Sequence, residues 1–117
     1  VERSRGLGDV YKRQILIREQ ILKDFPPKEL RKVIDEGKKD IKSGIVISIS
    51  IFEDKVGLAV GVSKDLTSKY DAVVLAKAAS VILGGKGGGG RKDFAQAGGV
   101  DKSKIEEAFK EISKKIS

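Results

Sequence analysis

Two neighbouring stretches of the chain alternate strictly between apolar and small residues. Residues 45–52 (IVISISIF) place isoleucines on one face and two serines on the other, and residues 56–62 (VGLAVGV) place valines and a leucine opposite two glycines and an alanine. Only Glu53, Asp54 and Lys55 separate the two runs, which predicts a β-hairpin. Its apolar face must be covered by helices. On its small-residue face we expect close packing of another backbone, with a smooth ligand floor as the alternative.

Three other segments carry the spacing of helices. After Pro27, residues 28–44 place apolar side chains on one stripe and cations on the opposite face. The stripe consists of Leu30, Val33, Ile34, Gly37 and Ile41, and the cations are Arg31, Lys32, Lys38, Lys39 and Lys42. The alanine-rich run 70–83 predicts a second helix that ends at the glycine after it. A third helix is expected after a cap at Asp101 or Ser103.

The remaining segments divide the chain. Residues 1–14 show no hydrophobic period and are expected to be an unstructured or non-native leader. Residues 15–25, which begin with the apolar run ILIREQIL, are expected to be a short helical segment, the remnant of a helical subdomain. Residues 26–117 are expected to form the globular domain, in which residues 93–97 form a short strand. The predicted fold class is α/β (mixed α+β): a small sheet built on the hairpin, packed with helices and preceded by the short helical segment.

Composition excludes several kinds of site. The 117 residues contain no cysteine and no histidine, which excludes disulfides, thiolate metal sites and the common Ser-His-Asp and Cys-His catalytic sets. The carboxylates fall mostly among lysines on predicted helix surfaces, which indicates solvated ion pairs rather than a catalytic site. Composition therefore favours a binding module over an enzyme.

Charge and hydropathy limit the partners. The net charge of +7 and the isoelectric point of about 9.6 favour nucleic acid or an anionic membrane surface, or else a solvated surface on a heat-stable protein. No apolar run approaches a membrane span and no secretory signal is present, so a cytoplasmic location is expected. Asparagine, methionine and tryptophan are absent while lysine is abundant, which is typical of a thermophile; a melting midpoint in the mesophilic range would contradict that hypothesis.

The stretch GGKGGGGRKDFAQAGG, residues 84–99, concentrates the chain's glycines. A dinucleotide-binding fingerprint follows a strand and opens a helix, whereas here a helix leads into the glycines. A Walker loop is also excluded, because the glycines lead into Arg91 and Lys92 rather than Lys followed by Ser or Thr. A glycine-rich backbone flanked by Lys86, Arg91 and Lys92 predicts phosphate contact, with a flexible connector as the alternative. Asp93 is expected to be a local cap or a partner of Arg91.

The same letters closely resemble the glycine-rich signature near the carboxyl end of alanyl-tRNA synthetases. That signature reads approximately Gly-Gly-Lys-Gly-Gly-Gly-Arg, a short spacer with an acidic residue, and Ala-Gln-Ala-Gly-Gly; the resemblance covers about residues 24 to 116. In DHH-class phosphoesterases the signature begins Gly-Gly-His and continues toward Ala-Ala-Gly. Lys86 in place of that histidine and Gln96 between two alanines favour the synthetase form. Lys92 stands where the family often has proline, and the loop is one glycine longer than in some members.

The resemblance implies a non-catalytic tRNA-binding domain of an alanine–tRNA ligase. It implies that the domain engages the outer corner of tRNA, where the D and T loops meet, and couples aminoacylation with editing. No cofactor is expected in this domain: ATP, Mg and Zn belong to the missing domains. The expected partners are tRNA(Ala) and the other domains of the parent synthetase, with no membrane.

Two alternative functions are an oligomerisation module, with a homodimer formed through residues 15–22, and a nucleic-acid-binding accessory domain of a DHH-type phosphoesterase. The residues that the tRNA-binding hypothesis places at the RNA are Lys86, Gly87, Gly88, Gly89, Arg91, Lys92, Lys102 and Lys104. The glycines expected to serve packing are Gly84, Gly85, Gly98 and Gly99. Weaker candidates for phosphate contact are the helix cations Arg31, Lys38, Lys39 and Lys42.

Overall fold

One mixed sheet with helices on both faces makes up the structure. The computed structural model describes residues 2–3, 8–12, 15–41, 43–85 and 88–116. Within these ranges there are seven strands and three helices: β1 (Glu2–Arg3), β2 (Gly8–Lys12), β3 (Ile15–Lys23), α1 (Leu30–Ile41), β4 (Ile45–Phe52), β5 (Lys55–Val62), α2 (Ala72–Ile82), β6 (Gly88–Arg91), β7 (Phe94–Gly99) and α3 (Ile105–Ile116). Short 3-10 helices precede the three helices, at Pro27–Glu29, Lys64–Leu66 and Lys102–Lys104. The mixed α+β class is therefore confirmed.

The strand order is β1-β3-β4-β5-β7-β6, and β2 also pairs with β3. Strands β3 and β4 are parallel, and the other pairs described are antiparallel. A parallel pair needs a crossover, which α1 supplies between β3 and β4. The central strands are therefore β4 and β5, the two that the alternating pattern predicts.

The predicted hairpin is confirmed, with a tighter turn than the sequence suggested. Phe52 pairs with Lys55, so only Glu53 and Asp54 lie in the turn. Both have positive φ, 51° and 63°, as a type I′ turn requires. Such a turn follows the right-handed twist of the flanking strands, which explains why the register runs unbroken from Phe52 back to Ile45.

Two hydrophobic cores lie on opposite faces of the sheet. The isoleucines of β4 and the valines and leucine of β5 pack with α2 and α3. The small-residue face packs against α1 and forms a second core with Leu22, Leu30, Ile34, Val46 and Ala59 among its buried residues. The expected close packing is therefore confirmed, and α1 covers the face for which a ligand floor was the alternative interpretation.

Glycines bring α1 close to this face. A Cβ atom placed on Gly61 of β5 would collide with Ile34, and one placed on Gly37 of α1 would lie 2.9 Å from Cγ1 of Val46. Ser48 and Ser50 are fully buried beneath the helix. A strand glycine often marks close approach of another element, and Gly61 does so here.

The predicted helical segment at residues 15–25 is wrong, because Ile15–Lys23 is strand β3. Ile17 points into the core under α2 and α3, whereas Leu22 points into the core under α1. Parallel pairing with β4 therefore decided the conformation of a short apolar run that is ambiguous by periodicity. Since β3 belongs to the same sheet, the globular unit also begins before residue 26.

The expectation of an unstructured leader is likewise wrong for the part of residues 1–14 that the structure describes. Strands β1 and β2 both pair antiparallel with β3. An uncovered strand edge presents free N–H and C=O groups, and the preceding chain satisfies them here. The other residues of that segment lie outside the described ranges.

Candidate nucleic-acid interface

The glycine-rich signature begins where α2 ends. Gly84 has φ of 79°, a left-handed conformation that side chains rarely adopt. The carbonyl of Leu83 accepts hydrogen bonds from the backbone N–H groups of Val100 and Asp101, both at 2.9 Å. The end of α2 is therefore fixed to the segment that joins β7 to α3.

Two further glycines of the signature leave no room for a side chain. A Cβ on Gly85 would collide with the Gly98 carbonyl, and one on Gly99 would lie 2.7 Å from the Leu83 carbonyl oxygen. Ser80 strengthens this contact by donating its hydroxyl to the Gly98 carbonyl at 2.6 Å. Gly98 itself has room, because the nearest atom to its Cβ position is 3.6 Å away. The packing role expected of Gly98 thus has no steric basis.

The middle of the glycine run forms strand β6, which the sequence did not predict. Cβ atoms on Gly88 and Gly90 would collide with the backbone of β7. Gly89 is exposed and has no atom within 4 Å of its Cβ position. Lys86 and Gly87 lie outside the described residues. Of the glycines proposed to meet RNA, Gly88 is held tightly against β7 and Gly89 presents open backbone.

A turn at Lys92 and Asp93 joins β6 to β7, and three elements hold it. The Asp93 carbonyl accepts hydrogen bonds from the Val62 backbone N–H at 2.9 Å and from the Lys38 ammonium at 3.2 Å. The Lys92 carbonyl accepts from the Ala72 backbone N–H at 2.9 Å. The turn is therefore anchored to α1, to β5 and to the start of α2.

Cations gather around this turn. We call the group Arg31, Lys38, Arg91 and Lys92 the cationic corner. The Arg91 side chain is 70% exposed, with its Nε 4.0 Å from Oδ1 of Asp93. The Arg31 guanidinium lies over the ring of Phe94, 5.0 Å from its centre, and Arg31 and Lys92 are exposed. Lys38 and Arg91 lie within ion-pair distance of the Asp93 carboxylate, while Arg31 and Lys92 are exposed beside the turn, so the corner is suited to binding an anion.

Other predicted cations lie elsewhere. In the β5–β7 ladder Phe94 pairs with Gly61 and Gly99 pairs with Val56, so the two ends of β7 are roughly 17 Å apart. Lys102 follows the far end and pairs with Asp54 at 3.2 Å. Lys104 pairs with Glu107 at 3.7 Å. The structure thus separates these two lysines from the cationic corner; Lys39 is exposed on α1, and Lys42 lies outside the described residues.

Sequence reasoning missed the residues that assemble the corner. Phe94 supports Arg31, and Gly61 lets the stem of Lys38 cross β5 toward the turn. Gly61, one of two glycines on the small-residue face of β5, was the signal available for the second contact. No pattern in the sequence indicated the contact between Phe94 and Arg31.

The described ranges lack two kinds of feature. They contain no group of three or more acidic side chains placed to hold a metal ion. None of the helices there is long and apolar enough to cross a membrane.

Comparisons with known proteins agree on one family. The family model described as the DHHA1 domain matches residues 15–117. The alanine–tRNA ligase of Hyphomonas neptunium is 52% identical over 85 residues, which are 73% of this chain and 10% of the relative. That of Parvibaculum lavamentivorans is 53% identical over 89 residues, or 75% of this chain and 10% of the relative. The chain therefore spans about a tenth of the length of these curated relatives.

A solved structure matches over the whole chain. The crystal structure of the C-Ala domain from Aquifex aeolicus alanyl-tRNA synthetase superposes with a TM-score of 0.83 at 29% sequence identity. The match covers 100% of this chain and 99% of that one. The likeness is therefore one of the overall fold and is not limited to the glycine-rich signature.

Proposed function

Because the chain belongs to the DHHA1 domain family, we propose that it is the tRNA-binding C-terminal domain of an alanine–tRNA ligase. In this proposal the domain carries no catalytic residue, and the ATP, Mg and Zn chemistry resides in other domains of the enzyme. Its partners are tRNA(Ala) and those domains. It acts in the cytoplasm by holding the outer corner of tRNA while aminoacylation and editing proceed elsewhere.

The cationic corner is the observation that carries this proposal. It places exposed Lys92 on a turn that three hydrogen bonds hold in place, and exposed Arg91 next to that turn at the end of β6. Arginine donates in a planar fork that matches phosphate, and a fixed turn loses little freedom when it binds. Double-stranded RNA is recognised largely through its shape, 2′-hydroxyls and phosphates, and this mode suits a chain with only 5% aromatic residues.

The open backbone of Gly89 supports the same interface. A phosphate or ribose can approach β6 at this position without meeting a side chain. Gly89 lies two residues before Arg91 on the same strand, so backbone and guanidinium can contact neighbouring parts of one RNA strand. We propose that Lys86 and Gly87 extend this contact surface.

The alternative functions have less support. The oligomerisation module depended on an exposed apolar surface at residues 15–22, but Ile17 and Leu22 are buried in the sheet. Both curated relatives described above are alanine–tRNA ligases rather than phosphoesterases. Light scattering of the intact chain tests the homodimer, for which we expect the mass of a monomer.

Binding of tRNA(Ala) across a salt series tests the proposed function. The Lys86→Ala, Arg91→Ala, Lys92→Ala triple variant should weaken binding and reduce the slope of log K against log salt by about two to three. The control variant changes Lys110, Lys114 and Lys115 of α3 to alanine, which removes the same charge from an exposed helix. If both variants lost the same affinity for tRNA(Ala), binding would depend only on net charge rather than on the cationic corner, which would contradict the proposal.

The location on tRNA requires its own comparison. A minihelix that contains the acceptor stem but lacks the D loop should bind much more weakly than whole tRNA(Ala). Footprinting should show protection where the D and T loops meet, and the triple variant should lose it. Equal affinity for the minihelix and the whole tRNA would refute recognition of the outer corner.

A further inference from the structure

Lys38 differs from the other cations of α1 in where its side chain goes. Its stem crosses strand β5 directly over Gly61, with Cδ and Cγ 3.0 Å and 3.4 Å from the position of a Cβ on that glycine. The side chain is only 21% exposed, whereas the neighbouring residue Lys39 is exposed to solvent. Lys38 is therefore directed along the protein surface rather than into solvent.

The ammonium group of Lys38 contacts the turn of the cationic corner at two points. It donates to the Asp93 carbonyl at 3.2 Å and lies 3.8 Å from Oδ2 of the Asp93 carboxylate. The same carbonyl also accepts the Val62 backbone N–H. A lysine ammonium has three N–H donors, and here the ammonium points at the carbonyl and carboxylate oxygens of Asp93 rather than at solvent. The contact joins α1 to the turn that carries Arg91 and Lys92.

We propose that Lys38 and Asp93 form a latch that positions this turn for RNA, and that neither side chain contacts RNA itself. The inference rests on the proposed function, since it assigns roles within the same binding surface. Lys38 and Asp93 are positioning residues, and Arg91 and Lys92 make the contacts. Gly61 belongs to the latch because a Cβ there would collide with Ile34 and would press on Cδ of the Lys38 stem at 3.0 Å.

The latch and a purely electrostatic surface predict opposite effects for Asp93. If affinity depended only on the local charge, removing the Asp93 carboxylate would lessen repulsion of phosphate and strengthen binding. If Asp93 holds the turn, Asp93→Asn should weaken binding even though the protein becomes more positive. The sign of this one change therefore separates the two explanations.

The experiment measures tRNA(Ala) affinity at one salt concentration for five proteins: the parent, Lys38→Gln, Asp93→Asn, the double variant and Lys32→Gln. We expect Lys38→Gln to weaken binding about tenfold and Asp93→Asn about threefold or more, with the double variant no weaker than Lys38→Gln. Lys32→Gln is the matched control, because it makes the same charge change at an exposed lysine of the same helix that is not a candidate for phosphate contact, and it should weaken binding twofold or less. Tighter binding by Asp93→Asn, or multiplying effects in the double variant, would overturn the latch.

Amide hydrogen exchange gives a second readout without RNA. The Val62 and Ala72 amides donate hydrogen bonds to the turn. In Lys38→Gln and in Asp93→Asn their exchange rates should therefore be at least several times higher than in the parent. The Leu58 amide in the middle of β5 should be unchanged, which distinguishes local release of the turn from general destabilisation. Unchanged exchange at Val62 and Ala72 would overturn the latch. A parent protein that fails to bind tRNA would refute the proposed function alone, because the exchange result does not depend on RNA.

Discussion

Gly98 and Gly99 are adjacent in β7, but substitution by alanine should change the unfolding free energy in opposite directions at the two positions. At Gly99 the new Cβ would lie 2.7 Å from the Leu83 carbonyl oxygen and 3.1 Å from its carbonyl carbon. These are backbone atoms that two hydrogen bonds already fix, so they cannot shift cheaply. At Gly98 the nearest atom would be the Val56 carbonyl oxygen at 3.6 Å, an ordinary contact.

The size of the difference follows from these distances. Overpacking at Gly99 should cost about 1 to 3 kcal/mol of unfolding free energy. Alanine at Gly98, which does not have positive φ, should stabilise by about 0.4 to 1 kcal/mol because it restricts the unfolded chain. The two variants should therefore differ by about 1.5 to 4 kcal/mol.

Urea unfolding followed by circular dichroism measures this difference. With a urea slope of about 1.5 kcal/mol per molar, the midpoints of the two variants should lie about 1 to 2.7 M apart. Each variant is the other's control, since both make the same chemical change on the same strand. Midpoints that coincide, with equal slopes, would refute the steric explanation of the second Gly-Gly pair.

Two further predictions concern stability. Ser50 has a buried hydroxyl without a hydrogen-bond partner in the structure, so Ser50→Ala should raise the unfolding free energy by up to about 1 kcal/mol. Ser48→Ala should instead lower the unfolding free energy, because it removes the hydrogen bond from Ser48 to Gln20. A lower urea midpoint for Ser50→Ala than for the parent would contradict this reasoning. The hydroxyl and backbone N–H of Ser103 donate to the Asp101 carboxylate and lower its pKa. The ionised carboxylate therefore contributes its full stabilisation to the unfolding free energy above about pH 5, and this stabilisation is lost as the pH falls through the folded-state pKa. Between pH 6 and pH 3 the unfolding free energy should fall less steeply for Asp101→Asn than for the parent. An equal fall for the two proteins would show that the Asp101 carboxylate does not contribute to stability.

Regular alternation and helical spacing predicted the parts of the fold whose residues decide their own conformation. Strands β4 and β5, and helices α1, α2 and α3, each carry enough periodic residues to fix an element and a buried face. The prediction for β3 was wrong because its eight apolar-rich residues fit a helix as well as a strand. Only the pairing with β4 decides between the two conformations. Strand β6 was missed because glycines have no preference for strands, so only the ladder to β7 defines it.

The candidate site divides in the same way. Arg91 and Lys92 were predicted from their position beside the glycines, and the structure leaves them exposed on the turn. Lys102 is only ten residues further along the chain, yet β7 carries it to the opposite end of the sheet. Arg31 and Lys38 are distant in sequence but reach the corner through Phe94 and Gly61. Such proximity depends on tertiary packing, which a pattern of charges along the chain does not contain.

The glycine signature combines residues with different physical roles, and this affects how its variants should be interpreted. Gly85 and Gly99 hold the end of α2 against β7, Gly84 permits the left-handed turn, and Gly89 is open to an approaching molecule. If a substitution at Gly85 or Gly99 abolished RNA binding, the cause would be displacement of the end of α2. Only substitutions at Gly89 or at the cations test the proposed contact with RNA. Packing and backbone conformation therefore account for Gly84, Gly85 and Gly99, and the proposed RNA contact is a separate requirement that applies to Gly89 and the cations.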